Sequence, residues 1–455
     1  MANDTANQVA EKDSTAAAAG QSTGSATSAS DAVVSPVVLS PSVQKAVNKG
    51  CFIEPPKANT QKGPHGIRFD FNDGCRVSVP PGSEWRVIVR DAEADVTLFD
   101  MPLIAEPDKT AGASSTKKYF VPFSMEVHKD GKKVFEHTMN LRGKPVLIQF
   151  PVGTLGDLMG WFPYAVKFEA KHGCKLTVTM GAPLIELFEK QYPSITFKRP
   201  EQVNVEDYYA TYKIGLYFND WDNKLQPCDF RFVGLHRTAG YILGVDPTEE
   251  RPRMDIPDGD TRPIAEPYVV IATQSTTQSK YWNNVNGWRE IIKFLKEAGY
   301  RVICIDQKAV HGTGTVWNHI PHGCEDETGD RPLAERARWI KHADFFIGLS
   351  SGLSWLAWAT GVPIVMISGF THPTNEFYTP YRVINYHTCN SCWNDPKVMF
   401  DHHDFMWCPR KKDTPQQFEC TKLITPEQVR RVIRQVPAFA EKAMQQLSAA
   451  ARACE

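Results

Sequence analysis

The sequence predicts an α/β fold with two doubly wound, Rossmann-like halves, and three observations predict it. A strand–loop–helix rhythm begins at "PVLIQFP" and continues through "KLTVTM". A segment rich in proline and charge, "VDPTEERPRMDIPDGDTRPIAEP" (residues 245–267), interrupts that rhythm and reads as a linker between domains. Beyond it the rhythm restarts at "YVVIATQS" and runs through "RVICID" and "DFFIGLSSGLSWLAWATGVPIVMIS". Strands alternating with helices favour parallel sheets, whose ligands sit in the crevice at the carboxyl ends of the strands.

Each element follows in order. Residues 1–60 include "TAAAAGQSTGSATSASDAVVSPVVLSPS", with too few large apolar side chains to offset the entropy of ordering it, so a disordered start is expected. Residues 61–145 change to short runs such as "GIRFDF", "CRVSVP" and "WRVIVRD", rich in β-branched and aromatic residues, and read as an antiparallel β domain. Within it "KDGK" (129–132) carries an Asp-Gly hairpin signal. Residues 146–262 form the first Rossmann-like half. There Leu158, Trp161, Phe162, Ala165 and Val166 fall on one face of a helix. Residues 263–385 form the second half, with Trp288, Ile291, Ile292 and Leu295 marking a helix ended by Gly299. Residues 386–423 hold four cysteines. Residues 424–455 close the chain as a helix started by Thr425, Pro426 and Gln428, with Val429, Val432, Ile433 and Val436 as its apolar face.

Composition narrows the function. With 51 basic against 52 acidic residues there is no net field to draw nucleic acid or anionic membrane. No run approaches the roughly 18 apolar residues of a membrane span, and no secretory leader pattern opens the chain. A cytoplasmic protein is expected, with neither a nucleic-acid partner nor a membrane span. Eleven cysteines, an odd count scattered along a long chain, suit reduced thiols and a metal site better than a disulfide framework.

Three strand ends could carry chemistry. In "GTLGDLMG" the carboxylate of Asp157 stands between strand and helix, where it could take a proton from an acceptor hydroxyl or simply cap the helix. In "GLSSGLSW" the small residues Ser350, Ser351 and Gly352 open a helix whose N–H groups and dipole favour phosphate; a plain turn would look the same. In "TQSTTQSKYWN" the hydroxyls of Thr276 and Thr277 and the cation Lys280 could face a diphosphate, although a lone loop lysine is commonly just solvated. Asp306, ending "RVICID", stands where acidic residues bind ribose hydroxyls in nucleotide folds, but no Rossmann or Walker glycine pattern precedes it.

The cysteines are the sharpest signal. Cys389-x2-Cys392 is a knuckle that lets two thiolates bind one ion, and Cys408 and Cys420 follow after fifteen and eleven intervening residues. Four thiolates make a closed, tetrahedral, structural site, and zinc and iron both accept sulfur there. The competing account is four unrelated reduced thiols. His402 and His403 could also ligate, but as an adjacent pair between apolar residues they suit surface or packing roles. The segment has little core of its own, so the ion is expected to supply its order.

"FPVGTLGDLMGWFPY", "TTQSKYW", "GLSSGLSWLAWATGVPIVMISGFTHPTNEF" and the four cysteines, in that order, resemble the bacterial autotransporter heptosyltransferases over residues 66–440. The resemblance implies a GT-B fold and transfer of heptose from ADP-heptose to serines of an autotransporter adhesin passenger. It implies one structural iron per chain on Cys389, Cys392, Cys408 and Cys420, with zinc as a substitute. It also implies a homo-oligomer, with a dodecameric ring among its forms. Carried residue by residue, Asp157 matches the general base, with Thr154, Leu155 and Gly156 beside it. Lys280, with Thr276 and Thr277, matches the diphosphate contact; Ser351, Gly352 and Leu353 match the anion-binding turn; Asp306 matches more loosely. The mechanism implied is a single inverting displacement without a catalytic metal. A non-enzymatic nucleotide-binding and docking module, or a transferase of the same fold using another nucleotide sugar, stays open at this stage.

Overall fold

The computed structural model describes residues 52–104, 106–152 and 155–453, with side chains as far as 449. Thr154, and the start of the chain as far as residue 51, lie outside the described residues.

Alternating apolar and polar residues build the β domain. Its strands are β1 (Gln61–Lys62), β2 (Arg68–Asp70), β3 (Arg76–Val79), β4 (Glu84–Asp91), β5 (Val96–Ile104), β6 (Ala111–Ser114), β7 (Phe123–Lys129) and β8 (Lys132–Thr138). They form two antiparallel sheets, ordered β1-β2-β3-β6 and β5-β4-β7-β8. Val87, Val89, Met125 and Val127 turn one face of the second sheet into the core. Asp130 and Gly131 both take positive φ (48° and 75°) between β7 and β8, the two-residue turn that the Asp-Gly pair signals. Just past β2, the Phe71 N–H donates to the Tyr209 carbonyl (3.1 Å) and the Thr211 N–H to the Phe71 carbonyl (3.1 Å). The β domain therefore continues onto the edge of the next sheet and shares one core with it.

That next sheet is parallel. β9 (Pro145–Gln149), β10 (Lys175–Thr179), β11 (Thr196–Lys198) and β12 (Ala210–Lys213) stand in the order β11-β10-β9-β12. The helices α1 (Leu155–His172), α2 (Ala182–Phe188), α3 (Phe230–Val233) and α4 (Arg237–Leu243) belong to the same half. The predicted face of α1 is buried at Leu158, Trp161, Phe162 and Ala165.

The second half repeats the plan with β13 (Tyr268–Ile271), α5 (Gly287–Glu297), β14 (Arg301–Cys304), the hairpin β15 (Val310–Thr313) and β16 (Val316–His319), β17 (Glu325–Asp326), α6 (Leu333–Lys341), β18 (Phe346–Leu349), α7 (Gly352–Thr360), β19 (Ile364–Ile367) and β20 (Arg382–Val383). Its sheet order, β17-β14-β13-β18-β19-β20, is the doubly wound order 3-2-1-4-5-6. The strand order reverses between β13 and β18, so the loops after those two strands flank the crevice where ligands bind. α8 (Glu419–Lys422), α9 (Pro426–Ile433) and α10 (Pro437–Ala453) follow the cysteine segment.

Four expectations are corrected. Residues 52–60 are ordered: Ile53 is buried, its N–H donates to Gln149 Oε1 (2.8 Å), and the Thr60 N–H donates to Asp70 (2.9 Å). The low-complexity composition ends before Phe52 and Ile53, which have a core to join. The 245–267 segment packs as well. Glu249 takes a hydrogen bond from Trp358 Nε1 (3.1 Å), lies 3.1 Å from His236 Nε2 and accepts from the Tyr378 N–H (3.0 Å), so its carboxylate ties both halves to the segment. The single C-terminal helix is two, because Pro437 starts a new one after Val436; proline disfavours a helical residue before it. Thr425 and Gln428 do form the predicted capping box at α9. Finally, the cysteine segment has apolar packing, borrowed from both halves. Trp393 and Trp407 are buried in a cluster with Phe370 and Phe230, and Phe400 and Phe218 pack against it.

Candidate active site

The site grows from two helix starts. α1 begins just after β9, and α7 just after β18, so each first turn stands at the carboxyl end of a parallel sheet. The two turns touch. A Cβ on Gly156 would lie 2.8 Å from Trp355 Cδ1 and 3.4 Å from Gly352 Cα, and one on Gly352 would lie 3.1 Å from Leu155 Cβ. Gly160, one turn on, is as tight against Trp355 and His236. Glycine at these positions lets α1 of the first half and α7 of the second approach at backbone distance. The glycines that read as turn formers are thus also packing residues.

The N-terminus of a helix carries partial positive charge and unpaired N–H groups, and here two such ends share one crevice. Asp157 sits half-buried in the first turn of α1. Ser351 is the N-cap residue of α7, and its Oγ has no hydrogen-bond partner among the described residues although it is shielded from solvent. Leu353 follows in the first turn. The Ser354 hydroxyl is turned back onto the Leu349 carbonyl (2.5 Å), which leaves the Ser351 end as the polar face of the turn.

Lys280 comes from the loop after β13. Its ammonium lies 5.5 Å from the ring centroid of Phe370 and 5.6 Å from that of Trp393. Burial pulls its pKa below the ordinary lysine value, and the charges of Asp157 and then Glu376 act the other way. Lys280 thus stands within electrostatic reach of Asp157, whose helix turn packs against the start of α7. Thr276 is exposed, while Thr277 is buried with its hydroxyl donating to the Phe405 carbonyl (2.9 Å), so it anchors the loop.

Asp306 is placed differently. It is buried, and its carboxylate accepts from the Thr273 N–H (2.8 Å), the Thr273 hydroxyl (2.7 Å) and the Gln274 N–H (3.1 Å). It fixes the β13 loop from behind. Burial raises its pKa against the effect of those bonds.

Sequence reasoning missed Glu376. It is buried, accepts from the Ser350 hydroxyl and from Asn375 Nδ2 (3.1 Å), and pairs with Arg382 (3.0 Å). Besides its neighbour Asn375, its partners come from the turn after β18 and from β20, so no local pattern marks it. It steadies the turn that opens α7 and adds negative charge near Lys280.

The four cysteines of the 386–423 segment line one small cavity, with Ser279, Phe370, Trp407 and Phe418 among its other walls. Among the described residues no three His, Cys, Asp or Glu side chains form a ready coordination cluster, so the thiols share a cavity without meeting at a point. Burial pushes the pKa of Cys392 and of Cys420 up to about 12, with neighbouring cysteines adding to it. Four thiols, two of them buried and two half-buried, with nearby Arg410, whose Nη1 is 3.8 Å from Cys389 Sγ, suit a soft cation that would hold them as thiolates. The donor set fits a structural ion with no open position. His402 instead packs edge-on against Phe400 and Phe218.

Residues 63–131 match the family described as glycosyltransferase TibC, N-terminal domain, and residues 242–402 match glycosyltransferase family 9 (heptosyltransferase). The chain is 54% identical over 387 residues to autotransporter heptosyltransferase TibC of Escherichia coli O78:H11, covering 85% of this chain and 93% of that protein. It is 47% identical over 402 residues to the inactive autotransporter heptosyltransferase BimC of Burkholderia thailandensis, covering 88% and 93%. Among solved structures, the iron-containing dodecameric glycosyltransferase TibC from enterotoxigenic E. coli superimposes with a TM-score of 0.80 at 53% identity, over 84% of this chain and 99% of that one. The same dodecameric heptosyltransferase in complex with ADP-D-beta-D-heptose gives a TM-score of 0.81 at 53% identity over the same shares.

Proposed function

The chain belongs to the autotransporter heptosyltransferases, with their GT-B fold, and on that premise we propose that it transfers heptose from ADP-heptose to serine hydroxyls of an autotransporter passenger. The observation that carries the proposal is the contact between the first turns of α1 and α7, with Lys280 within electrostatic reach of Asp157 in the first of them. Asp157 takes the proton of the acceptor serine as its oxygen attacks the anomeric carbon. The bond from that carbon to the diphosphate breaks, and ADP leaves with the electron pair. Lys280 and the N–H groups around Ser351, Gly352 and Leu353 stabilise the charge that develops on the diphosphate. A single displacement inverts the anomeric configuration. Thr276 has the exposure to reach substrate, whereas Asp306 and Thr277 act by holding the loop that carries Lys280.

Cys389, Cys392, Cys408 and Cys420 would hold one iron per chain, with zinc as the substitute; bound there, the ion would add to the order that aromatic packing already gives the segment and supply no chemistry. The iron-containing relative and the all-sulfur donor set support this. Metal analysis of purified protein should give one iron or zinc per chain, and replacing Cys389 or Cys408 with serine should release it; full metal content in a Cys389/Cys392 double variant would leave four ordinary thiols. Self-association is proposed on the dodecameric relative and on the edge strand β5, which exposes Val96, Met101 and Ile104. Reaction in the cytoplasm suits the unpaired cysteines, and among the described residues no helix is long and apolar enough to cross a membrane.

One relative is named inactive, so family membership alone does not carry turnover. The test is incubation with ADP-heptose and a passenger, read by intact mass. Passenger gaining heptose units supports the proposal. ADP binding with no mass gain would favour a binding module, and gain only from another nucleotide sugar would change the donor.

A further inference from the structure

The cysteine segment reaches the donor site through one side chain. Lys280 is flanked by two aromatic rings, Phe370 at 5.5 Å and Trp393 at 5.6 Å from its ammonium, and both rings are buried. Trp393 directly follows Cys392, and Phe370 lines the cavity of the four thiols. The loop that carries Lys280 is bound to the same segment twice more, because the Thr277 hydroxyl and the Gln278 N–H both donate to the Phe405 carbonyl, each at 2.9 Å. Trp393 is itself fixed. Its indole N–H donates to Asn375 Oδ1 (3.0 Å), and its ring packs edge-on against Phe218.

An ammonium moved out of water needs replacement solvation. A carboxylate in direct contact would supply it but would compete with the diphosphate for the same charge. An aromatic face attracts the cation through its quadrupole and leaves the N–H donors available to phosphate. The two rings also limit the rotamers of a long side chain that otherwise loses entropy when it binds.

We propose that Phe370 and Trp393 are positioning residues for the donor, holding the Lys280 ammonium charged and aimed at the diphosphate, so that the cysteine segment sets donor affinity through Lys280. This rests on Lys280 being the diphosphate contact. Asp157, Glu376 and His402 are the other titratable groups whose charges act on or near it.

The test is calorimetric titration of the full-length, metal-loaded protein with ADP. Trp393→Leu and Phe370→Leu should each weaken ADP binding by roughly 3- to 30-fold, as loss of a desolvated cation–π contact implies. They should raise KM for the donor with little change in kcat at saturation, and metal content should stay at the wild-type value. Trp393→Phe, which restores a π face without the indole bond to Asn375, should return ADP affinity to within about threefold of wild type. Phe439→Leu, a buried aromatic truncation in the cluster around Tyr300, should lower Tm and leave ADP affinity unchanged. Unchanged affinity in both Leu variants overturns the proposal, as does a Phe variant as weak as the Leu variant or an equal loss in Phe439→Leu. If Trp393→Leu fails to fold, Phe370→Leu, which breaks no hydrogen bond, decides. Wild-type protein that binds no ADP would refute the reading of Lys280 itself, a result distinct from failure of the positioning role of the two rings.

Discussion

Two strand ends, one in each half, carry an aspartate, and the two have opposite fates. Asp306, after β14, is buried and accepts three hydrogen bonds from Thr273 and Gln274. Asp157, after β9, is half-buried in the first turn of α1 and within electrostatic reach of Lys280. Both carboxylates satisfy the same rule of position in an α/β sheet. What separates them is burial: the β13 loop encloses the Asp306 carboxylate, whereas Asp157 keeps part of its surface open to the crevice. A strand-end acid wrapped by the neighbouring loop shapes a site, while one left at the crevice can act in it.

The comparison breaks most visibly under asparagine substitution of the first. Asp157→Asn should keep ADP affinity and lose transfer by about 10²–10⁴-fold, the usual range for removing a general base; turnover near wild type would return Asp157 to a helix-capping role. Lys280→Ala should weaken ADP binding by about 10- to 100-fold, since a charge-assisted contact is lost, and unchanged calorimetry would move the diphosphate elsewhere. Asp306→Asn should act on stability, by about 1–3 kcal/mol, because one amide N–H₂ then faces the donors of the β13 loop; a Tm equal to wild type would contradict its anchoring role.

The smallest effect is a slope. Burial raises the Asp306 pKa above its ordinary 3.8. Between that value and the folded one the native state binds more protons than the unfolded chain, so this group's contribution is complete below about pH 3.8 and is lost as pH rises through the folded pKa. The stability difference between wild type and Asp306→Asn, read by urea unfolding, should therefore shrink as pH rises through that window. A difference that grows with pH would mean a depressed pKa instead.

Much of this was legible in the sequence because strands buried on both faces read as apolar runs. Tyr268–Ile271, Phe346–Leu349 and Ile364–Ile367 are buried throughout, and their turns carry the glycine and serine that helix starts need. Asp157, Lys280 and the Ser351 turn could be picked out for the same reason, since strand ends locate them. What was not legible lies in long-range pairing. Glu376 draws on Ser350 and Arg382, and Trp393 reaches Lys280 from a different segment. Asp306 shows the complementary limit: spacing found its position but could not say how its oxygens are used. Residues 245–267 look like a linker by composition, yet Glu249 joins both halves through His236 and Trp358.

The most direct measurement compares the two aspartates in one assay: heptose transfer to a passenger at saturating ADP-heptose, for Asp157→Asn and Asp306→Asn, each rate divided by the concentration of folded enzyme. The account predicts that Asp306→Asn stays close to wild type while Asp157→Asn falls by at least about 10²-fold. Equal losses in the two variants, or a larger loss in Asp306→Asn, would contradict it.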